Sequence, residues 1–386
     1  MRICLVSSSF YPAIFYGGPV SSTWDLSKKI GEKGIEIYVS TTNANGKEKL
    51  SGVNTKKHTK QAKNVFVRYY NEQIINFFSI SFIFGVFSDI KNSDVVYVQY
   101  LYHYTVLFSL FYSFLLGKKI VNCPRGSLSE YTIKNKKSIW KKLWLFLLVK
   151  PFSKRILWQA SSYLEKKDIL NYFPNVNVQI VSDGIDFDAF QNQNKIENKE
   201  ILKKYLGKDF SEVSEILFSM GRLHDIKRFD ILIHAFSTYV KENNNSKLLI
   251  AGADDGSKIK LQRLIDRLRL SNSVFLIGLI NFDQKKELLT NCSVFSLCSE
   301  FESFGIVVAE ALACGTPVIV SDKTHWKDVE KNKCGIFAKN RKEEISRALF
   351  QVKEYNFLEI DCKRYIKNNF DWNIVTENFL KLVTKK

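Results

Sequence analysis

Short runs of apolar residues, bounded by polar turns, recur along the whole chain and alternate with stretches of helical periodicity. Each run is long enough for one strand, and continuous apolar character is typical of parallel strands that are buried on both faces. Strands that alternate with helices predict βαβ units, in which ligands bind beyond the carboxyl ends of the strands. The predicted strands are residues 3–6, 35–40, 95–100, 119–123, 215–219, 248–251, 274–276, 294–297 and 317–320.

A polar interruption separates two groups of these strands. Residues 191–199 consist of Gln, Asn, Lys and Glu with only Ile196 apolar, which is typical of a linker. The length of 386 residues also favours two cores, because single cores stop growing at roughly 250–300 residues. We therefore predict an α/β protein with a Rossmann-like domain at residues 1–190, a second one at residues 200–365, and a terminal helical segment at residues 366–386.

The charge of the chain is large and unevenly distributed. The net charge is +18, and residues 1–190 hold 25 of the 57 Lys and Arg but 13 of the 39 Asp and Glu, which gives that part +12. Such a surplus attracts polyanions, and nucleic acid, anionic lipid and diphosphate substrates are all candidates. Seven cysteines without a C-x-x-C pair indicate neither a disulfide framework nor a zinc site, which fits a reducing cytoplasm.

Three segments of the first half could be misread. Residues 1–6 are too short an apolar run for a signal peptide, and we predict a first buried strand there. Residues 95–117 carry no formal charge if His103 is neutral, so their length permits a membrane span, but polar residues dilute the run and favour a strand followed by a helix. Residues 41–64 are polar and rich in lysine, which predicts a mobile loop.

The strongest chemical signal follows the predicted strand at residues 294–297. Glu302 lies in the loop after this strand, Gly305 precedes a predicted helix, and Glu310 lies on that helix. A helix start presents unpaired N–H groups and the positive end of a dipole, which suits a phosphate group. The two carboxylates can therefore contact different parts of one extended ligand, and a turn without a ligand is the alternative.

Two other loops follow predicted strands and have suitable residues. Arg222 and Lys227 follow the strand at residues 215–219, where a planar guanidinium and a point charge can clamp a diphosphate and stabilise charge on a leaving group. Gly17 and Gly18 follow the first strand and allow a close approach to the backbone. A plain structural turn is the alternative for both loops, and it has more weight for the glycine pair.

These motifs occur in an order that resembles glycosyltransferase family 4, and the resemblance spans nearly the whole chain. It implies a retaining transferase with the GT-B fold, in which two Rossmann-like domains face a cleft and a C-terminal helix crosses back to the first domain. The residues that carry it are Gly17-Gly18, Ser182-Asp183-Gly184-Ile185-Asp186, Gly221-Arg222-Leu223 with Lys227, Glu302-Ser303-Phe304-Gly305 with Glu310, and Phe370-Asp371-Trp372 before the last helix.

The resemblance also implies roles for the matching residues. Arg222 and Lys227 would hold the donor diphosphate, Glu310 would bind the ribose hydroxyls, and Glu302 would meet the transferred sugar. Gly18 would face the diphosphate across the cleft. The remaining substrate contacts would come from Gly17 and from Ser303, Phe304, Gly305, Ile306 and Val307, with the backbone amides from Phe304 onward near the sugar.

The chain departs from the family pattern in three places. Arg228 follows Lys227 where the family usually has Gly, and the Asn-Gly turn is altered at Asp183. Many members have a His at the end of the strand that corresponds to residues 119–123. In this chain the sequence at that strand end is Cys123-Pro124-Arg125, without a His. The resemblance therefore supplies no proton-handling residue, and Arg125 is a positional candidate for the sugar contact. His103 is a weaker candidate, because a packed or solvated histidine is the commoner case.

No cofactor is expected apart from the nucleotide-diphosphate sugar, which is the donor substrate. Arg222, Lys227 and a helix dipole neutralise the diphosphate and remove the need for a divalent ion. Asp186 and Asp188 resemble the D-x-D metal motif of a different transferase fold, but they follow a turn and precede the linker. We therefore predict a transferase that needs no metal.

Residues 134–155 contain eight Lys or Arg and no acidic residue, and apolar and aromatic residues including Trp140 and Trp144 lie between them. This is an interfacial pattern, in which aromatic rings sit at headgroup depth while lysines meet anionic lipid. It predicts a protein that is cytoplasmic and peripheral on the inner face of the cell membrane. A core helix with a solvated basic side is the alternative, and no recognition motif supports nucleic acid.

The leading hypothesis is a hexosyltransferase that acts on a lipid-linked or growing saccharide in surface polysaccharide biosynthesis, such as O-antigen, capsule or exopolysaccharide, with UDP and GDP donors both open. A nucleotide-sugar epimerase or a phosphorylase of the same architecture is the second hypothesis, and a detected glycoside product separates the two. An inactive nucleotide-sugar-binding membrane scaffold is the third; it predicts binding without turnover and conflicts with the intact Glu302, Glu310, Arg222 and Lys227.

Overall fold

The structure is a computed structural model that describes residues 1–13, 16–46, 48–73, 78–134 and 138–384. The chain divides into two compact units: a first unit of Met1–Gly184 and Trp372–Lys386, and a second unit of Ile185–Asp371. The boundary between the two units lies after Gly184 and not at the predicted residue 190. The reason is that Phe187 and Phe190 pack in the core of the second unit. Most of the predicted linker precedes a helix that begins at Asn198.

The first unit contains a sheet of eight strands in the order β10-β9-β8-β7-β1-β2-β6-β5 and a separate two-stranded hairpin of β3 and β4. All neighbours in the large sheet are parallel except β5, which is antiparallel to β6. The strands are β1 Arg2–Val6, β2 Glu36–Thr42, β3 Ala44–Asn45, β4 Glu48–Lys49, β5 Thr59–Ala62, β6 Val65–Tyr70, β7 Val95–Gln99, β8 Lys119–Cys123, β9 Ile156–Ala160 and β10 Val178–Ile180.

Six helices of the first unit precede the division of the chain. They are α1 Gly18–Glu32, α2 Ile80–Lys91, α3 Tyr104–Leu115, α4 Glu130–Lys134, α5 Ser138–Trp144 and α6 Tyr163–Tyr172. Helix α5 continues as a π-helical turn, Leu145–Val149, and a 3-10 segment, Lys150–Arg155. The predicted loop at residues 41–64 instead contributes β3, β4 and β5, because Thr59 to Ala62 can pair with the exposed edge of β6. Lys47 of that loop lies outside the described residues.

The second unit contains one parallel sheet of six strands in the order β13-β12-β11-β14-β15-β16. The strands are β11 Glu215–Met220, β12 Ser246–Ala251, β13 Val274–Gly278, β14 Val294–Leu297, β15 Val318–Ser321 and β16 Gly335–Ala338. The helices are α7 Asn198–Leu206, α8 Phe229–Glu242, α9 Lys258–Arg267, α10 Phe282–Asn291, α11 Ile306–Ala313, α12 Lys342–Glu354 and α13 Glu359–Phe370.

Each sheet is packed on both faces, which explains why its strands are apolar without alternation. In β11, Ile216 and Phe218 belong to one core cluster and Leu217 to the other. In the first unit, the alternate residues of β1 divide in the same way between two clusters. The predicted two Rossmann-like sheets are confirmed.

The last helix, α14 Trp372–Thr384, belongs to the first unit. Phe379 contacts Tyr97 of β7, with ring centroids 4.8 Å apart, and a Cβ on Gly184 would lie 2.5 Å from the ring of Trp372. Residues 366–371 of the predicted terminal segment lie in the second unit, and residues 385 and 386 lie outside the described residues. Among the residues that the structure describes, no helix has the length and apolar character that a membrane span requires.

Candidate active site

The second sheet changes direction between β11 and β14. The chain proceeds from β11 outward through β12 and β13, then returns to β14 on the other side of β11. Loops that leave the carboxyl ends of two such strands diverge and open a crevice, where ligands of α/β sheets bind. Both charged motifs of the sequence follow these two strands, Arg222 and Lys227 after β11 and Glu302 after β14.

The loop after β11 is held close to its neighbours by glycines. Gly221 donates its N–H to the carbonyl of Ala251, and Gly252 at φ +153° lies so near that a Cβ there would be 1.8 Å from the carbonyl oxygen of Gly221. The side chain of Lys227 crosses Gly221, with its Cε 3.1 Å from the position of a Cβ. The two glycines thus allow the loop to turn back and bring the ammonium group towards β14.

Lys227 and Glu302 form an ion pair, and both side chains are largely buried. The same carboxylate oxygen of Glu302 accepts a hydrogen bond of 2.8 Å from Ser299 Oγ. The backbones of the two loops are also joined, because the N–H of Glu300 donates to the carbonyl of Ile226 at 2.8 Å. The structure therefore brings together one cation and one carboxylate that the sequence separates by 75 residues.

Arg222 is held much less tightly. Its guanidinium pairs with Asp255 at 2.6 Å, and the side chain remains 66% exposed. An exposed pair of this kind contributes about 0–1 kcal/mol. The guanidinium can therefore exchange Asp255 for a ligand at small cost.

Arg228, the departure from the family's Gly, has φ +49° and precedes α8. A left-handed conformation costs a non-glycine residue roughly 1–2 kcal/mol. The side chain compensates by pairing with Asp230 at 3.0 Å and Glu300 at 3.5 Å. The backbone shape explains why Gly suits this position.

Helix α11 begins at the end of the second loop. Gly305 precedes it at φ +75°, and a Cβ there would lie 3.3 Å from Leu297 and Trp326. The first N–H groups of a helix lack intrahelical acceptors, so those of Ile306 and Val307 belong to an anion-binding terminus. Glu302 and Ser303 precede this terminus in the same loop.

Phe304, which the sequence placed among the substrate contacts, has a buried side chain. Its ring packs on His325 with centroids 5.0 Å apart, and its carbonyl accepts a hydrogen bond of 2.7 Å from Trp326 Nε1. The side chain therefore anchors the loop in the core. Only its backbone N–H can serve the predicted role.

Glu310 is buried on α11 and pairs with Lys285 of α10. The ammonium of Lys285 also lies over the rings of Phe282 and Phe190, at 5.2 Å and 5.6 Å from their centroids. Sequence reasoning missed Lys285, because its helix carries none of the motifs. Its position confines the Glu310 carboxylate to one orientation.

In the first unit, Gly17 has φ +76° and precedes α1, while Gly18 is the first residue of that helix. A Cβ at Gly17 would meet no atom within 4 Å, so the backbone conformation rather than space requires glycine. Pro19 follows within the first turn, where it suits a helix start. Phe15 of the same motif lies outside the described residues.

Arg125 is buried after β8 and has a structural set of partners. Its guanidinium pairs with Asp183 and donates a hydrogen bond of 2.8 Å to Gln99 Oε1. A buried cation needs a counterion, and Asp183 supplies it for Arg125. These are two of the positions at which the chain departs from the pattern that it resembles. Burial raises the pKa of the neighbouring Cys123 thiol to about 12, so it is protonated at neutral pH.

The remaining candidates have local partners. His103 Nδ1 lies 2.9 Å from Thr105 Oγ1, and burial lowers its pKa to about 4. Asp186 Oδ1 accepts from the N–H of Ala189 at 3.4 Å, as a turn residue does. Within the described parts of the chain, no group of three His, Cys, Asp or Glu is placed to hold a metal.

Residues 204–372 match the family model of the Glycosyl transferases group 1. The chain is 27% identical over 220 residues to an uncharacterized glycosyltransferase of Methanocaldococcus jannaschii, covering 55% of each chain. It is 33% identical over 129 residues, 33% of each chain, to the N-acetylgalactosamine-N,N'-diacetylbacillosaminyl-diphospho-undecaprenol 4-alpha-N-acetylgalactosaminyltransferase of Campylobacter jejuni. The chain thus spans about half and a third of these relatives.

Among solved structures, Anabaena Alr3699/HepE in complex with UDP is similar over 100% of both chains, with a TM-score of 0.76 and 16% identity. A likeness at this identity concerns the fold. Together the findings confirm the GT-B fold for the chain and the glycosyltransferase class for residues 204–372.

Proposed function

We propose that the protein is a metal-independent, retaining glycosyltransferase of family 4 that moves a sugar from a nucleotide-diphosphate sugar to a lipid-linked or growing saccharide. The observation that carries the proposal is the meeting of Lys227, Glu302 and the start of α11 at the switch point of the second sheet. Cations and a helix terminus recognise the diphosphate, and carboxylates recognise hydroxyl groups.

The chemistry requires stabilisation of the negative charge that grows on the leaving diphosphate. Lys227 supplies a largely buried cation that is already oriented by Glu302 and by packing on Gly221. The start of α11 adds about half a positive charge, and Arg222 can join from its exposed pair. These groups supply the neutralisation for which other transferases use a metal ion.

The two carboxylates have different environments that suit different parts of the donor. Glu310 is fixed by Lys285 on α11 and would accept hydrogen bonds from the ribose hydroxyls. Glu302 is fixed by Lys227 and Ser299 before the helix and would accept from the sugar hydroxyls. Each lysine also compensates its carboxylate while no ligand is bound.

The proposed acceptor is a lipid diphosphate saccharide of surface polysaccharide biosynthesis, and the protein acts at the inner face of the membrane. The name of the Campylobacter jejuni relative specifies a diphospho-undecaprenol acceptor, which supports this class. The positive first part of the chain suits such an anionic substrate.

The test incubates purified protein with lipid-diphosphate acceptors and a panel of UDP- and GDP-sugars, with EDTA present, and follows donor consumption and the anomeric configuration of the product. Transfer with retention is expected for one donor. Lys227→Met keeps the apolar stem and removes the charge, so it lowers turnover by about 10²–10³. The matched control is Lys204→Met, which breaks an exposed pair with Glu287 in the same unit.

Three results would contradict the proposal: inversion, an absolute need for Mg²⁺, or full activity of a folded Lys227→Met variant. Epimerised donor without a glycoside product would favour the epimerase hypothesis instead.

A further inference from the structure

The part of residues 138–155 that begins at Trp144 contacts both ends of α3 in the first unit. At the end of α5, Trp144 Nε1 donates to the carbonyl of Leu101, just before α3, at 2.9 Å. At the end of this part, Phe152 and the guanidinium of Arg155 contact the ring of Phe114, which lies near the end of α3, at 5.5 Å and 4.4 Å. Residues 144–155 therefore lie beside α3, and the exposed side chains of α3 and of residues 138–155 make up the surface formed by these two segments.

This surface is apolar to an unusual degree. Eight large apolar side chains on it are between 42% and 79% exposed: Phe111, Phe114, Leu115, Ile139, Trp140, Leu143, Phe146 and Leu147. At about 200 Å² for each side chain, these exposed fractions add up to roughly 900 Å² of apolar surface that faces solvent. Monomeric soluble proteins rarely expose more than a few hundred Å² in one patch.

The side chains that residues 138–155 expose decide between the two predictions from the sequence, an interfacial segment and a core helix with a solvated basic side. A core helix with a solvated basic side would bury its apolar residues, but here Ile139 and Trp140 are the most exposed large apolar side chains of the segment. Trp144, predicted to insert together with Trp140, is instead bonded to the carbonyl of Leu101 and packs against the core. Lys136 and Lys137 of the predicted segment lie outside the described residues.

The charges around the surface indicate what covers it. Lys142, Lys150, Lys154 and Arg155 are exposed along the segment, and residues 134–155 contain no acidic residue. The ammonium of Lys150 lies 4.7 Å from the ring of Phe146, so cations border the apolar groups directly. Apolar side chains surrounded by cations match the hydrocarbon boundary and the anionic headgroups of a bilayer.

We propose that the surface formed by α3 and residues 138–155 docks the first unit on an anionic lipid bilayer. This inference rests on the proposed function in one respect, since a membrane-held acceptor gives the docking its purpose. Nucleic acid fits the surface less well, because aliphatic Ile139, Leu147 and Leu115 offer neither stacking rings nor hydrogen bonds to bases.

The experiment measures sedimentation of the full chain with vesicles of phosphatidylcholine, with or without phosphatidylglycerol. Binding should require phosphatidylglycerol and weaken as salt shortens the Debye length from about 10 Å at 0.1 M to about 3 Å at 1 M. A Lys142→Gln, Lys150→Gln, Lys154→Gln variant should bind about 10²-fold more weakly, from about fivefold for each cation. Ile139→Ser with Trp140→Ser should weaken binding at least about tenfold.

Matched controls lie in the second unit. Lys258→Gln, Lys331→Gln, Lys339→Gln changes the net charge equally at exposed positions, and Ile259→Ser with Ile360→Ser removes two aliphatic side chains that are 66% and 60% exposed. Neither control should change vesicle binding.

Equal vesicle binding of wild type and the two variants of residues 138–155, or equal weakening by the controls, would overturn the proposal. Self-association of the wild type that Ile139→Ser with Trp140→Ser abolishes would assign the surface to a second copy of the chain. Vesicle binding needs no donor, so its failure is distinct from a failure to consume nucleotide sugar.

Discussion

Replacing Asp183 with Asn tests whether Arg125 is a structural residue of the first unit. The substitution keeps the shape and removes the charge opposite a guanidinium side chain that is 2% exposed. Breaking a buried pair from one side costs about 3–5 kcal/mol, because the other charge is left uncompensated. With a denaturant slope of about 1–3 kcal/mol per molar urea, the unfolding midpoint should fall by about 1–5 M, and by about 2 M at the middle of both ranges.

Tryptophan fluorescence is a suitable assay for this change. Five of the six tryptophans, all but Trp326, lie in the first unit and report its unfolding. Arg125→Gln combined with Asp183→Asn should recover much of the loss, since no unpaired charge remains. Asp25→Asn is the control, because Asp25 pairs with Lys28 at an exposed site and should cost under about 1 kcal/mol. A midpoint for Asp183→Asn within about 0.3 M of wild type would refute the structural role.

Three smaller predictions concern other parts of the chain. Gly252→Ala should destabilise the second unit by more than about 3 kcal/mol in urea unfolding, because a Cβ there collides with the backbone of Gly221. A Cβ at Gly256 would meet no atom within 4 Å, so the control Gly256→Ala should cost only about 1–2 kcal/mol. Burial lowers the pKa of His103 to about 4 in the folded chain, against about 6.5 in the unfolded chain, so its contribution to stability is complete above pH 6.5 and about 3 kcal/mol is lost as the pH falls to 4. NMR of the ring should show a neutral imidazole at pH 5.5, and a titration near 6.5 would contradict its burial. Trp144→Phe should cost about 1 kcal/mol of stability, because it leaves the carbonyl of Leu101 unpaired, and it should leave vesicle binding unchanged. Trp140→Phe should leave the stability unchanged and alter vesicle binding.

The strands that position the candidate site could be predicted because their signals are local. β11, β12, β14 and β15 are buried on both faces and read as continuous apolar runs, and the loops with Lys227 and Glu302 follow β11 and β14 directly. β6 and β9 were missed although they are apolar and largely buried, whereas two other missed strands carry weaker signals. β16 has four residues and begins with Gly335, and β5 is polar and half-exposed because it pairs at an edge.

The partners of the candidate residues could not be predicted, because they are distant in sequence. Asp183 lies 58 residues from Arg125, and Lys285 lies 25 residues from Glu310 on a helix without a motif. A motif identifies the type of residue at a strand end, but the fold decides whether that residue is exposed, as Arg222 is, or enclosed by a counterion, as Arg125 is.

We propose that Lys227 and the start of α11 bind a diphosphate without a metal. Calorimetric titration in EDTA with UDP, GDP and the two free nucleosides tests it directly, using wild type, Lys227→Met and the Lys204→Met control. One diphosphate should bind wild type about 10²-fold more tightly than its nucleoside, and Lys227→Met should lose about 10–100-fold of that affinity while its affinity for the nucleoside stays unchanged. Equal affinity of wild type and Lys227→Met for the diphosphate, or binding only when Mg²⁺ is added, would contradict the account.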